Sequence, residues 1–95
     1  ATSLGARKVC DKALELSRQH PIKSVVVSDK SAVSACLAFI SDHRMVVEPA
    51  CGAALAVVYE PILEAGSYKK VLVIVCGGVG ASIEQLQEWS RTIRA

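Results

Sequence analysis

The residues best placed to do chemistry stand together in residues 71–82. Val71, Leu72, Val73, Ile74 and Val75 run without a polar break into Cys76, Gly77 and Gly78, and a helix start follows at Ser82. An apolar run with no alternation is the pattern of a strand buried on both faces, as in a parallel sheet covered by helices. Ligands of such sheets bind just beyond the C-terminal ends of the strands. Cys76 stands at such an end, which makes its thiol a candidate ligand contact. The competing reading is a small residue before a tight turn.

A nucleotide is the first ligand to test, because a strand, a glycine turn and a helix frame the dinucleotide fingerprint. The spacing fails. Gly78-Val79-Gly80 is followed by Ala81, Ser82 and Ile83, so the third glycine is missing, and too little chain follows for the acidic ribose ligand. No Gly-Lys-Ser/Thr occurs, which removes the P-loop. His20 and His43 fall at helix ends with no serine motif near them, so no nucleophile–base arrangement emerges. Cys10, Cys36, Cys51 and Cys76 contain no CxxC and no metal-ligand spacing. The first three occupy helix faces where a small apolar residue packs. Reduced thiols in a cytoplasmic protein are the expectation.

These residues need a scaffold, and the totals bound it. Ninety-five residues make one domain at most. With 52% hydrophobic and only 4% aromatic residues, the core must be built of Val, Ala, Leu and Ile. The net charge of +2 is small and scattered, without the basic stripe that nucleic acid requires. The longest near-apolar run, residues 49–59, falls short of the roughly 20 residues that span a bilayer. Residues 1–19 do not have the basic, apolar pattern of a signal segment. It begins on Ala1-Thr2-Ser3-Leu4-Gly5 without a methionine, and so reads as a piece of something longer.

Periodicity places four helices and three strands. Residues 5–19 form an amphipathic helix with Ala6, Val9, Cys10, Ala13, Leu14 and Leu16 inward, and His20-Pro21 ends it. Residues 22–27 form a strand. Ser28 or Asp29 caps a helix running to about residue 42, with Val33, Cys36, Leu37 and Ile40 as its seam and Phe39 beside it. Residues 45–47 are a third extended piece. Pro49 opens a helix with no charge on any side until Glu60, which predicts burial all round. Pro61 falls late and is expected to kink it, and Gly66 is its expected C-cap. Ser82 with Gln85 has capping-box spacing, and Ile83, Leu86, Trp89 and Ile93 form the last inward stripe. Helix–strand alternation of this kind predicts an α/β fold with a parallel sheet.

At this point Glu48-Pro49-Ala50-Cys51-Gly52-Ala53-Ala54-Leu55-Ala56, together with residues 73–78, resembles the C-terminal part of the serine/threonine dehydratases. These are pyridoxal-phosphate enzymes of the tryptophan-synthase β-type fold. Residues 1–5 resemble the segment that precedes both motifs in that family, so the likeness covers essentially the whole chain. It implies a three-layer α/β arrangement, the C-terminal part of the large cofactor domain of a fold-type II enzyme. The implied activity is β-elimination of water from L-serine or L-threonine, releasing ammonia and pyruvate or 2-oxobutanoate. The resemblance puts Cys76 against the pyridine nitrogen of the cofactor, with Gly77 beside it and Glu48 nearby. It puts Ser3, Leu4 and Ala6 in a loop whose carbonyls hold a monovalent cation, usually potassium, which oxygen ligands suit. Glu48 reads equally as a structural cap. Where relatives commonly carry serine or asparagine after Cys-Gly-Gly, this chain has Val79. The lysine that forms the Schiff base lies in the family's N-terminal region, and none of Lys8, Lys12, Lys23, Lys30, Lys69 or Lys70 sits in a matching motif. The chain alone is therefore expected to be inactive, and its implied partners are the N-terminal remainder, an amino-acid substrate and a second copy. Serine racemase of the same fold and a small non-catalytic α/β binding module are the alternatives.

Overall fold

The computed structural model describes residues 1–62 and 67–93, with Thr2 by its backbone only. A 3-10 turn at Thr2–Leu4 is followed by α1 (Asp11–Gln19), α2 (Asp29–His43), α3 (Pro49–Tyr59) and α4 (Ile83–Thr92). Among the described residues there is no β-strand. The segments predicted as strands are extended chain without a ladder. Each would need neighbours on both edges to satisfy its backbone groups, and none of the three forms a ladder with another here.

The centre is the crossing of α2 and α3, onto which α4 packs from one side and the 3-10 turn from another. The helices start where their sequences cap them. The Ser28 hydroxyl accepts from the Ser31 N–H at 3.0 Å, settling the choice between Ser28 and Asp29. Pro49 fills the first turn of α3. At α4 both halves of the capping box form: the Ser82 N–H donates to Gln85 Oε1 at 3.0 Å, and the Gln85 N–H donates to Ser82 Oγ at 3.2 Å.

The buried cluster is Ala35, Cys36 and Phe39 of α2, Val47, then Cys51, Leu55 and Ala56 of α3, and Leu86 of α4. Gly52 lets α2 and α3 approach closely. A Cβ there would fall on the Ala32 carbonyl and 2.6 Å from Cys36 Sγ. Tyr59 closes the far end of the same crossing by donating its hydroxyl to Asp42 Oδ2 at 2.8 Å.

Several expectations shift. The first helix begins at Asp11, because Cys10 is already an extended N-cap, so Ala6 and Val9 lie outside it. Among the described residues α1 buries nothing, and Leu14 and Leu16 of its expected inner face are exposed. In α2 the seam is rotated: Phe39 is core, and Leu37 and Ile40 flank it. In α3, Ala54, Val58 and Tyr59 are exposed, so the uncharged helix is covered on one side only. Pro61 stops this helix and does not kink it. Glu60, held extended as the residue before a proline prefers, is the C-cap. The expected cap at Gly66 lies outside the described residues.

Candidate functional site

Glu48 and the glycines after Cys76 define the site. Glu48 is the extended residue that opens α3, and its carbonyl accepts from the Gly52 N–H at 2.9 Å. Its own N–H donates to the Gly77 carbonyl at 3.0 Å, which ties the end of residues 45–48 to the end of residues 71–77. Gly78 makes that contact sterically feasible. A Cβ on it would sit 2.7 Å from the Val46 carbonyl carbon and 3.1 Å from Val47 Cα, so the two backbones can touch only with glycine here. Gly77 has φ +157°, a conformation L side chains rarely adopt, and its Cβ position faces open space. Gly80 lies against the Glu48 carboxylate.

Three thiols meet beside this junction. Cys76 is exposed, whereas Cys51, in the first turn of α3, and Cys36, on α2, are wholly buried. Cys51 acts electrostatically on the Cys76 thiol across the junction. Desolvation, with Cys51 next in weight, holds the Cys76 thiol above the usual thiol range. Burial, then Cys51, pushes the Cys36 thiol up to about 11. Both are therefore neutral near pH 7. Among the described residues no group of three His, Cys, Asp or Glu is arranged to hold a metal ion.

A cavity of about 490 Å³ opens next to the junction, lined among others by Ser3, Asp29, Glu48, Gly80, Gln85 and Trp89. A second, of about 440 Å³, is lined by Leu4 together with Val25, Val26 and Val27. The structure thus brings Cys76, Gly77 and Glu48 together, and Ser3 and Glu48 line the same cavity. It does not gather Ser3, Leu4 and Ala6 in one cavity: Leu4 turns to the second, and the exposed Ala6 lines neither. Sequence reasoning missed Cys51 as the partner of Cys76, and Asp29 and Gln85 as lining groups. The available signal was that Cys51 falls in the first turn after one strand end while Cys76 closes another.

The residues fit one edge of a pyridoxal-phosphate ring. They offer a neutral thiol at the tip of an apolar run and, at Gly77, empty space where a side chain would otherwise stand. Residues 1–77 match the family described as pyridoxal-phosphate dependent enzyme, and the chain belongs to that family. Within this class, the "L-serine dehydratase" of Dictyostelium discoideum is 45% identical over 95 residues, covering 96% of this chain and 27% of that protein. A mouse protein named "Serine dehydratase-like" is 47% identical over 96 residues, covering 93% of this chain and 29% of its own length. The human "L-serine dehydratase/L-threonine deaminase" is 43% identical over 95 residues, covering 92% and 29%. The chain spans little more than a quarter of the curated relatives it matches.

Proposed function

We propose that this chain is the C-terminal section of the catalytic domain of a pyridoxal-phosphate-dependent L-serine (L-threonine) ammonia-lyase. The observation that carries this is the level of identity, 43–47% over nearly the whole chain, to proteins named for that activity. When bound, the cofactor supplies the electron sink that makes the substrate α-proton removable.

The chain's own residues shape that sink. Cys76 would meet the ring nitrogen as a neutral thiol, a weak hydrogen-bonding partner. It cannot hold a proton on that nitrogen as a carboxylate would. A weaker sink suits elimination, in which the β-hydroxyl leaves as the α-proton is lost. Gly77, with open space at its Cβ position, would leave room for the ring, and Gly78 seats the turn on residues 46–47. Glu48 fixes the turn through its N–H and lines the adjoining cavity with its carboxylate. The carbonyls of Ser3, Leu4 and Ala6 take a potassium-class cation as part of a loop completed by the rest of the enzyme.

In the whole enzyme, residues 22–27, 45–47 and 71–75 pair as strands of a parallel sheet in a three-layer α/β domain. The exposure of Val26 (93%) and Leu72 (86%) supports this, since apolar side chains so placed call for a covering layer. The N-terminal remainder supplies the covalent lysine and the phosphate grip. The enzyme works as a homodimer in the cytoplasm, with neither nucleic acid nor membrane as partner. No helix among the described residues is long and apolar enough to cross a membrane.

The complete reading frame, expressed and purified, tests this. It should carry the visible absorbance of bound pyridoxal phosphate. It should also release pyruvate from L-serine, or 2-oxobutanoate from L-threonine, faster with potassium than with sodium. Absence of both the absorbance and the keto acid would sink the proposal. Cys76→Ala should lower the elimination rate about tenfold, or about 1.4 kcal/mol of transition-state stabilisation, with cofactor still bound. An unchanged rate dismisses the role given to Cys76.

A further inference from the structure

We propose that Cys76 and Cys51 form a reversible dithiol–disulfide switch, oxidised by peroxide through the exposed Cys76. Cys76 stands at the surface, and the buried Cys51 is among the groups that act on its thiol. The backbone beneath them is pinned. The Glu48 N–H to Gly77 carbonyl bond of 3.0 Å joins the residue after Cys76 to the residue three before Cys51. The sulfurs therefore hang from two segments held side by side. Cys36 lies behind Cys51, wholly buried on α2, and Cys10 is on a separate exposed segment. An accessible sulfur backed by a buried one is the layout of an attacking thiol with its resolving partner.

The chemistry balances with a peroxide as the named oxidant. The Cys76 thiolate attacks one peroxide oxygen, the O–O bond breaks, and water leaves after protonation, giving a sulfenic acid. The Cys51 thiolate then attacks the Cys76 sulfur, the S–O bond breaks, and a second water leaves. The two thiols lose two electrons and two protons in all, and the peroxide is reduced to water. A dithiol reductant reverses the bond by exchange. Because the Cys76 thiol is held neutral near pH 7, oxidation is slow there and accelerates as pH rises and thiolate forms. The cross-link also withdraws the Cys76 S–H from the ring nitrogen. That consequence rests on the cofactor reading, whereas the cross-link does not.

The test uses the full-length protein, treated with hydrogen peroxide, alkylated and mapped by mass spectrometry after proteolysis. The expected result is a Cys51–Cys76 linked peptide carrying most of the Cys76 signal, lost on reduction, with two hydrogens missing from the intact mass. Cys51→Ala should abolish the link and leave Cys76 trapped as a sulfenic acid by a cyclic 1,3-diketone, whereas Cys10→Ala should leave the link intact. The proposal is overturned if Cys76 links to Cys10 or to a second copy. Direct passage of Cys76 to the sulfinic acid in the unmutated protein, or failure to react, also overturns it. Should Cys51→Ala fail to fold, the map of the unmutated protein decides alone. Loss of the link in a protein that still makes pyruvate removes only the switch. A link in a protein that binds no pyridoxal phosphate removes only the enzyme reading.

Discussion

The helix α3 and the run of residues 71–75 are both uncharged and rich in branched or small apolar residues, yet they end in different states. The helix buries Cys51, Gly52, Leu55 and Ala56 against α2. In the run only Val73 packs against the core, while Leu72 and Ile74 remain 86% and 66% exposed. A helix satisfies its own backbone and needs partners only for its side chains. A parallel strand needs hydrogen-bonding neighbours on its edges and cover on both faces. Equal hydrophobicity is thus satisfied locally in one geometry and only by distant chain in the other.

The largest expected effect tests that contrast at two leucines. In the complete protein, Leu86→Ala should cost about 3 kcal/mol, as for a wholly buried leucine, read from urea unfolding. If residues 71–75 become a covered strand there, Leu72→Ala should cost about 2–4 kcal/mol as well. A loss under about 0.5 kcal/mol, normal for a surface site, would break the strand reading. Next, Gly52→Ala should destabilise by about 2 kcal/mol. The added methyl meets the backbone of α2, and this outweighs the gain of about 1 kcal/mol in helix propensity. A more stable variant would show that the crossing of α2 and α3 yields easily.

The third test is a pH dependence. The folded Cys36 thiol titrates near 11 instead of 9, so the unfolded chain loses its proton first. The stability this group contributes is complete below about pH 9 and falls as pH rises toward 11, by on the order of 2 kcal/mol. Cys36→Ala should flatten the slope measured by unfolding at about pH 8, 9.5 and 11. The smallest effect belongs to a cap: Ser82→Ala should cost about 1 kcal/mol and shift the urea midpoint without altering its slope.

What the sequence reveals follows the range of the interaction. Ser28, Pro49 and the Ser82–Gln85 box act within one turn, and the starts of α2, α3 and α4 follow from them. The start of α1 is not legible, because apolar spacing continues back to Ala6 while the backbone becomes helical only after Cys10. Pro61 reads as a kink in sequence, but by holding Glu60 extended it terminates the helix. The meeting of Gly77 with Glu48 lies near two legible strand ends, but the influence of Cys51 on Cys76 depends on how the start of α3 sits beside the end of the run, which no local pattern encodes. Ser3, Leu4 and Ala6 are grouped by resemblance alone; Ser3 and Leu4 line different cavities and Ala6 lines neither, a matter of tertiary placement.

Among the described residues, a single backbone hydrogen bond joins residues 71–78 to residues 45–48, from the Glu48 amide to the Gly77 carbonyl. That amide is consequently a reporter. Its proton exchanges with deuterium only when this one contact opens, so its protection factor measures how often the Cys76 end lifts away from α3. Anything that braces the end from outside, whether a ring seated on Gly77 or a sulfur–sulfur bond to Cys51, should slow that exchange while leaving the amides in the middle of α2 unchanged.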